Sequence, residues 1–524
     1  VAPNWSTPLG RSGRQALAFS LVSGAITHAY HVFQYPLYVT DEGIYVQQAW
    51  SVVREGMLSP YTYFYDHAPG GWLLMAAWAN ILPGQFEAFG NAINTIRVLM
   101  VIAHVISVGL LFGITRRFSG SVSGAFLACF LFNFSPLAVY YQRQVLLDNL
   151  MVLWLLLSIY LLSRADNRLV TAMGSGFAFG VALVTKENAL FFVPALAYLS
   201  YKMASGERNR RFQLQFWWFA AAIPVSVYIL FAELKNELLP SGFDFNVSNP
   251  PANHVSLLYS IWWQISRSGP QGRNLFVQLM EGSWLSRDPY ILIAGCIAVV
   301  LVLLLWSQDR ENRLGYLVAG MMAMGYGFYM VRGSILLDFY VVPMIPVLAM
   351  NIGLLYAAVM KKAPERAKIA LTAAIVVLAL IIPGGYFVAR GTQGNLQAHD
   401  LYHLEVTALQ EQQIAWVRKN VPPNSRLIID DDMWTALHDV KPYYPRAHSH
   451  FKAASDPAVR DKLFRRNWQN IDYVIMSNKM RAAMERNNGN GAENYMLDAI
   501  DQHGQRVWDL NRGGIHLAVY KIEK

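Results

Sequence analysis

The chain has 524 residues, 54% of them hydrophobic and only 15% charged, with a formal net charge of +9. So apolar a composition, gathered into helix-length blocks, excludes an ordinary soluble protein and defines a polytopic α-helical membrane protein. Two cysteines, Cys129 and Cys296, both inside apolar segments, exclude a disulfide framework and a cysteine-based metal cluster. The basic excess does not signal nucleic acid, because much of it falls in short loops between apolar blocks.

Apolar runs long enough to cross roughly 30 Å of hydrocarbon predict about eleven membrane helices. They fall near 15–35, 94–114, 119–139, 146–163, 168–184, 188–204, 213–233, 290–306, 314–331, 336–359 and 368–388. No small-residue cleavage site follows Phe33, so the first block is expected to be a helix rather than a cleavable signal. The loop at 36–93 holds two amphipathic, aromatic stretches, 45–55 and 71–81, too short to span and expected to lie along the interface.

Alternate connections carry the basic residues. They are Arg11/Arg14, Arg116/Arg117, Arg164/Arg168, Lys202/Arg208/Arg210/Arg211, Arg310/Arg313 and Lys361/Lys362/Arg366/Lys368, against the fewer acids Asp166, Glu207, Asp309, Glu311 and Glu365. The positive-inside rule makes that side cytoplasmic. The opposite side then receives the loop 36–93, the short connections 140–147 and 185–188, the loop 234–289, the turn at Arg332-Gly-Ser and everything from about 390.

The last stretch, 390–524, is polar with brief apolar runs at 426–430, 472–476 and 515–520 that read as strands, and helices at 403–419 and 456–467. The expected division is a transmembrane catalytic module, 1–389, and a small α/β extracytoplasmic domain, 390–524. No fixed-period repeat and no matching halves are visible, which disfavours an inverted-repeat transporter.

The outward turns gather charge. Asp41, Glu42, Asp66 and His67 come from the first loop, Arg143 and Asp148 from the second connection, Lys186 and Glu187 from the third, and Arg332 precedes the tenth helix. A charged group drawn to the centre of a bilayer costs a few kcal/mol, roughly 2.5–3.5 on insertion scales, so such a set tends to mark a site. Ordinary roles are open to each as well: helix capping for Asp41-Glu42, a structural ion pair for Arg143 and Asp148, snorkelling for Lys186-Glu187, a solvated turn for Asp66-His67. His28 and His104 read as packing residues, and Asp430-Asp-Asp432, after a strand, as a solvated loop. Cations at a membrane surface suit a phosphate whose lipid stays in the bilayer, and a carboxylate facing them suits a general base.

Asp41-Glu42 after the first helix, Tyr65-Asp-His-Ala-Pro-Gly-Gly-Trp72, Arg143-x4-Asp148-Asn149, Thr185-Lys-Glu187 and Asp338-Phe-Tyr340-Val-Val-Pro343-Met-Ile-Pro346 occur in a characteristic order. From about 15 to 350 the chain resembles the GT-C membrane glycosyltransferases, specifically glycosyltransferase family 39 and its relatives, the protein O-mannosyltransferase and aminoarabinose-transferase-like group. The resemblance implies a GT-C-like fold, a polyprenyl-phosphate sugar donor and an inverting transfer on the outer face. It makes Asp41 the catalytic base with Glu42 beside it shaping the acceptor site. Arg143 and Lys186, with Tyr340 and Arg332, would hold the donor phosphate, and Asp66, His67, Asp148 and Glu187 would build the pocket. Three departures stand out. Ala68-Pro69-Gly70 replaces the Lys-Pro-Pro of aminoarabinose transferases, 234–289 is too short for an inserted lectin-like domain, and Trp262-Trp263 is followed by Gln264 rather than Asp.

The expectation is a bacterial cytoplasmic-membrane glycosyltransferase that passes a sugar from a lipid phosphate to a lipid, polysaccharide or protein acceptor. A transporter or flippase of a lipid-linked sugar is the alternative. No cofactor is required by this reading. A divalent cation beside Asp41, Glu42 and Asp66 is left open, and the resemblance leans against a required metal.

Overall fold

The computed structural model describes residues 8–164, 169–204, 207–245, 255–266, 270–332, 336–389, 400–487, 491 and 493–524. Helix α1 (Arg11–Ala29) leads into the first loop, which folds into α2 (Thr40–Arg54) and α3 (Gly70–Ile81). Then come α4 (Ala92–Ser119), α5 (Val122–Phe134), the short α6 (Pro136–Tyr141), α7 (Leu147–Leu162), α8 (Leu169–Thr185), α9 (Val193–Met203) and α10 (Glu207–Leu234). The next loop holds α11 (Leu257–Ser266), α12 (Pro270–Leu279) and α13 (Leu285–Arg287), before α14 (Pro289–Leu305), α15 (Arg313–Val331), α16 (Met344–Lys362) and α17 (Glu365–Val388).

Each predicted span contains a helix, yet fewer cross a bilayer on length and apolarity alone. Five do so among the described residues: Ala92–Ser119, Asn209–Leu234, Arg313–Val331, Asp338–Lys362 and Glu365–Val388. A sixth would join Asn274–Arg287 to Pro289–Leu305 across a 113° bend. The others are short or broken. Ser135 caps α6 and Pro136 opens it, a position where proline continues a new helix but cannot extend the old one.

Local chemistry explains the long elements. Asn91 caps α4 by accepting from Asn94 N at 2.8 Å. Arg116 and Arg117 occupy its last turn, where a cation complements the helix dipole, and Gly120 ends it at φ 68°. Helices α8 and α10 approach through glycine: a Cβ on Gly176 or Gly180 would stand 2.1 or 2.3 Å from the carbonyls of Trp217 or Ala221. Small residues four apart allow this close backbone contact, the usual device where hydrocarbon gives helices little reason to associate.

The C-terminal region is α/β. Its helices are α18 (Thr407–Asn420), α19 (Trp434–His438), α20 (His450–Ser455), α21 (Asn478–Asn487) and α22 (Asn494–His503). Its strands are β1 (Leu427–Ile429), β2 (Ala447–Ser449), β3 (Tyr473–Ser477), β4 (Gly504–Arg512) and β5 (Ile515–Ile522), in the order β2-β1-β3-β5-β4. Strand β1 runs parallel to β2 and β3, while β5 is antiparallel to β3 and β4. Three of the strands coincide with predicted apolar runs; β2 and β4 were not expected. The 456–467 stretch is a wide helical turn at Ala458–Leu463, not an α-helix.

This region sits on the loop 36–93, at the N-terminal end of α4. Val406 N and Thr407 N both donate to the Gln34 carbonyl, at 3.0 and 3.2 Å, and Leu401, Tyr402, Val406 and Leu409 join the buried core of the membrane helices. His28 and His104 stack at 3.4 Å inside that bundle, and His104 is held by Gln142 and Asn133.

Candidate active site

Asp41 and Glu42 lie in the first turn of α2, which begins before the helical stretch expected from 45. Adjacent residues on a helix point about 100° apart, and here the difference separates their roles. Glu42 is fully buried and wholly committed. Arg97 of α4 grips it with Nε–Oε1 2.9 Å and Nη2–Oε2 2.8 Å, and the amides of Val145 and Val39 donate to it at 2.9 and 3.2 Å. The expected acceptor-shaping neighbour is therefore a structural bolt tying α2 to α4 and to the 142–146 connection.

Asp41 is the opposite case. Among the described residues its carboxylate has no hydrogen-bond or ion-pair partner, and it is half-buried. Burial pushes its pKa up to about 6; the nearby Lys186 and His67 pull it down, while Asp338 and Asp148 push it further up. Tyr45, one turn along α2, feels Asp41, Asp148, Tyr340 and Glu187. Residues from four separate segments thus share one electrostatic neighbourhood.

The third connection supplies its cation. Lys186 Nζ lies 2.5 Å from Asp148 Oδ2 and 4.7 and 4.5 Å from the ring centres of Phe339 and Tyr340. Asp148 Oδ1 is buried and receives no hydrogen bond. Glu187 accepts from Ala68 N at 2.7 Å and lies 3.1 Å from His67 Nδ1, so the Ala68-Pro69-Gly70 turn is held against the third connection. Tyr340 stands over Lys186, with its carbonyl accepting from Tyr326 at 3.0 Å. Arg332 is further back, stacked on Tyr329 at 5.0 Å and Phe191 at 5.5 Å; Tyr329 in turn feels Lys186 and Tyr340.

Two expectations need correcting besides Glu42. Arg143 neither pairs with Asp148 nor faces the cluster. It is fully buried, donates to the carbonyls of Leu401 and Thr27, at 2.9 and 2.5 Å, and lies over the Tyr402 ring. Asp66 is exposed in the first loop, where it faces Tyr228 and Lys452. Among the described residues no three His, Cys, Asp or Glu side chains, Asp41, Glu42 and Asp66 included, form a metal-ligand set.

Sequence reasoning missed Asp338, Tyr141 and Arg287. Tyr141 donates to Asp338 Oδ2 at 3.1 Å. The Arg287 guanidinium lies 4.6 and 5.9 Å from the rings of Tyr140 and Tyr141, beside Asp338, and its Nε is buried without an acceptor. A second cation therefore lies beside Asp338. The signal for Asp338 was present in the Asp338-Phe-Tyr340 motif; Arg287 lay in a loop with none. A cavity of 870 Å³ opens elsewhere, by Ser119–Ser123 and Lys361, about 40 Å away at the other end of the 28-residue α4. It holds no part of this cluster.

The architecture has known counterparts. Residues 66–231 match the family model for dolichyl-phosphate-mannose-protein mannosyltransferase. The fold is similar to that of ArnT from Cupriavidus metallidurans bound to undecaprenyl phosphate (TM-score 0.59, 14% identity, 97% of this chain and 98% of that one). It is also similar to the oligosaccharyltransferase AglB from Archaeoglobus fulgidus, in complex with an inhibitory peptide and a dolichol-phosphate (TM-score 0.58, 13% identity, 95% and 73%). No curated protein matches by sequence. The solved structures thus show a shared fold, and the matched segment covers about a third of the chain. The matched segment carries Lys186, Asp148, His67 and Glu187 but stops short of Asp41 and of the C-terminal sheet.

Proposed function

We propose that the protein is an inverting glycosyltransferase that moves one sugar from a polyprenyl-phosphate donor to an acceptor outside the cytoplasm. The reading rests on one observation: a carboxylate that receives no hydrogen bond among the described residues, its pKa raised to about 6, in a neighbourhood that also holds Lys186. A general base works best with a pKa near the working pH and with lone pairs free for the incoming proton. Asp41 takes the proton of the acceptor hydroxyl or amine. The freed lone pair attacks the anomeric carbon, and the bond from that carbon to the phosphate oxygen breaks on the opposite face. The phosphate leaves with the lipid and the sugar configuration inverts.

Lys186 and Arg287 flank the site where that negative charge builds, the term that usually dominates such catalysis. Phe339, Tyr340 and Asp148 hold Lys186 in place. Arg143 is assigned to positioning, since both its terminal nitrogens donate to the carbonyls of Leu401 and Thr27. Basic loops at the other end of the helices support an extracytoplasmic location for Asp41 and the C-terminal region, in a bacterial cytoplasmic membrane. The neighbours bound to dolichol-phosphate and undecaprenyl phosphate support a lipid-phosphate donor. A transporter is not favoured, since the charges collect at one end of the helices.

The test is to incubate the purified full-length protein with a panel of polyprenyl-phosphate sugars and measure released polyprenyl phosphate. Release with at least one donor supports the reading; no release across a panel of hexoses and pentoses, with and without added acceptor extracts, contradicts it.

A further inference from the structure

Open α/β sheets bind their ligands outside the carboxyl ends of the parallel strands, where the strand order reverses. In the C-terminal sheet that point lies between β1 and β3, because the chain passes from β1 to β2 on one side and returns to β3 on the other. Three polar groups gather there: Asp430–Asp432 after β1, Ser449 closing β2 and Ser477 closing β3. Ser449 Oγ donates to Asp431 Oδ2 at 2.6 Å and Ser477 Oγ to Asp430 Oδ2 at 3.4 Å. A turn with three aspartates was expected to be solvated, yet all three are buried.

No small molecule is needed to explain the burial, because the crevice is filled by α2. Thr40 Oγ1 donates to Asp430 Oδ1 at 2.9 Å, and Gln47 Nε2 donates to Asp431 Oδ1 at 2.9 Å. Between them Gly43 packs on the turn so tightly that a Cβ would stand 2.2 Å from the Asp431 backbone carbonyl. Positions 40, 43 and 47 are spaced by three and four, so they form one face of the helix. Gln410 of α18 closes the grip: it accepts from Tyr38 N at 2.9 Å, and its amide donates to Tyr38 O at 3.1 Å and to Asp432. Asp41 follows Thr40 directly.

We propose that the ligand crevice of the C-terminal sheet has become the seat of the catalytic helix, and that Asp431 is a positioning residue for Asp41. The inference rests on the assignment of Asp41 as base. It makes the C-terminal region a working half of the active site: the sheet sets the rotation and height of α2, and Arg97–Glu42 locks the other face. A base displaced by about 1 Å can cost on the order of 100-fold in rate.

The experiment uses the full chain in nanodiscs and three variants, Asp431→Ala, Asp431→Asn and Gly43→Ala. Amide exchange across 40–47 is read by mass spectrometry, with undecaprenyl-phosphate affinity and turnover alongside. Asp431→Ala and Gly43→Ala should raise exchange at 40–47 and lower kcat about 10-fold to 100-fold, with donor affinity within about twofold. Asp431→Asn should stay near wild type, because its carbonyl still accepts from Gln47 and its amide can donate to Ser449. Exchange over 473–477 and 515–522 reports whether the sheet itself stays folded. Should Asp431→Ala unfold it, Gly43→Ala decides, being on the other side of the contact. Wild-type exchange at 40–47 in both Asp431→Ala and Gly43→Ala overturns the proposal, as does a loss in Asp431→Asn equal to that in Asp431→Ala. Exchange needs no turnover, so a protein that releases no polyprenyl phosphate would contradict glycosyl transfer while this result still judged the seat.

Discussion

Helix α2 separates two acidic regions, and the contrast between them is instructive. On one face Asp430, Asp431 and Asp432 are buried, but each receives at least one hydrogen bond, from Thr40, from Gln47 and Ser449, or from Gln410. On the other, Asp41, Asp148 and Asp338 share a neighbourhood with Lys186 and Arg287, and Asp41 receives no donor among the described residues. Burial raises the pKa of Asp431 as well as that of Asp41, so burial alone does not distinguish them. The distinction is in the donors. Buried polar groups are normally satisfied, and a carboxylate left without partners in a cleft is available to an incoming proton.

The comparison breaks most visibly at Asp41 itself. Asp41→Asn keeps shape but removes the base, and turnover should fall by about 10²–10⁴-fold with undecaprenyl-phosphate affinity within about twofold, both measured on the same preparation. Next comes Lys186→Met, which should lower kcat by about 10²–10³-fold, the usual cost of removing one group that stabilises developing charge. It should also weaken donor binding, which Asp41→Asn should not.

Glu42→Gln sharpens the contrast from the structural side. Gln cannot neutralise Arg97 and would set an NH2 group against donors, so the loss should appear in stability, about 3–5 kcal/mol for a broken buried pair, read by thermal unfolding in detergent. Turnover per folded molecule should fall as well, though less than in Asp41→Asn, because the Arg97–Glu42 pair fixes α2 beside Asp41. The smallest effect is expected at Asp66→Asn: the side chain is exposed, so stability should shift by no more than about 0.5 kcal/mol and turnover should fall far less than in Lys186→Met.

Much of the scaffold was legible because hydropathy is a local property. The helical blocks, the interfacial pair in the first loop and strands β1, β3 and β5 all carry their signal within a few residues. The partner of Asp148 was not legible: the sequence offered the neighbouring Arg143, and the structure gives it Lys186. What the sequence did not show depends on distant partners. Glu42 looked like a site residue because Arg97 is 55 positions away on α4. Arg143 looked like a phosphate ligand because nothing local reveals that Thr27 and Leu401 offer it carbonyls. Asp430–Asp432 looked solvated because the helix that buries it is nearly 400 residues earlier. Strand β2 is three residues long, too short for alternation to register, and β4 is a polar edge.

The pH dependence of kcat at saturating donor, measured for wild type and Asp338→Asn together, tests the base assignment most directly. Above a folded-state pKa of about 6 Asp41 is ionised, so the wild-type rate should climb through about pH 6 and level off above it. Asp338 pushes that pKa up, so neutralising it should move the climb to lower pH. A rate independent of pH between 5 and 8, or a climb that stays in place in Asp338→Asn, would contradict the account.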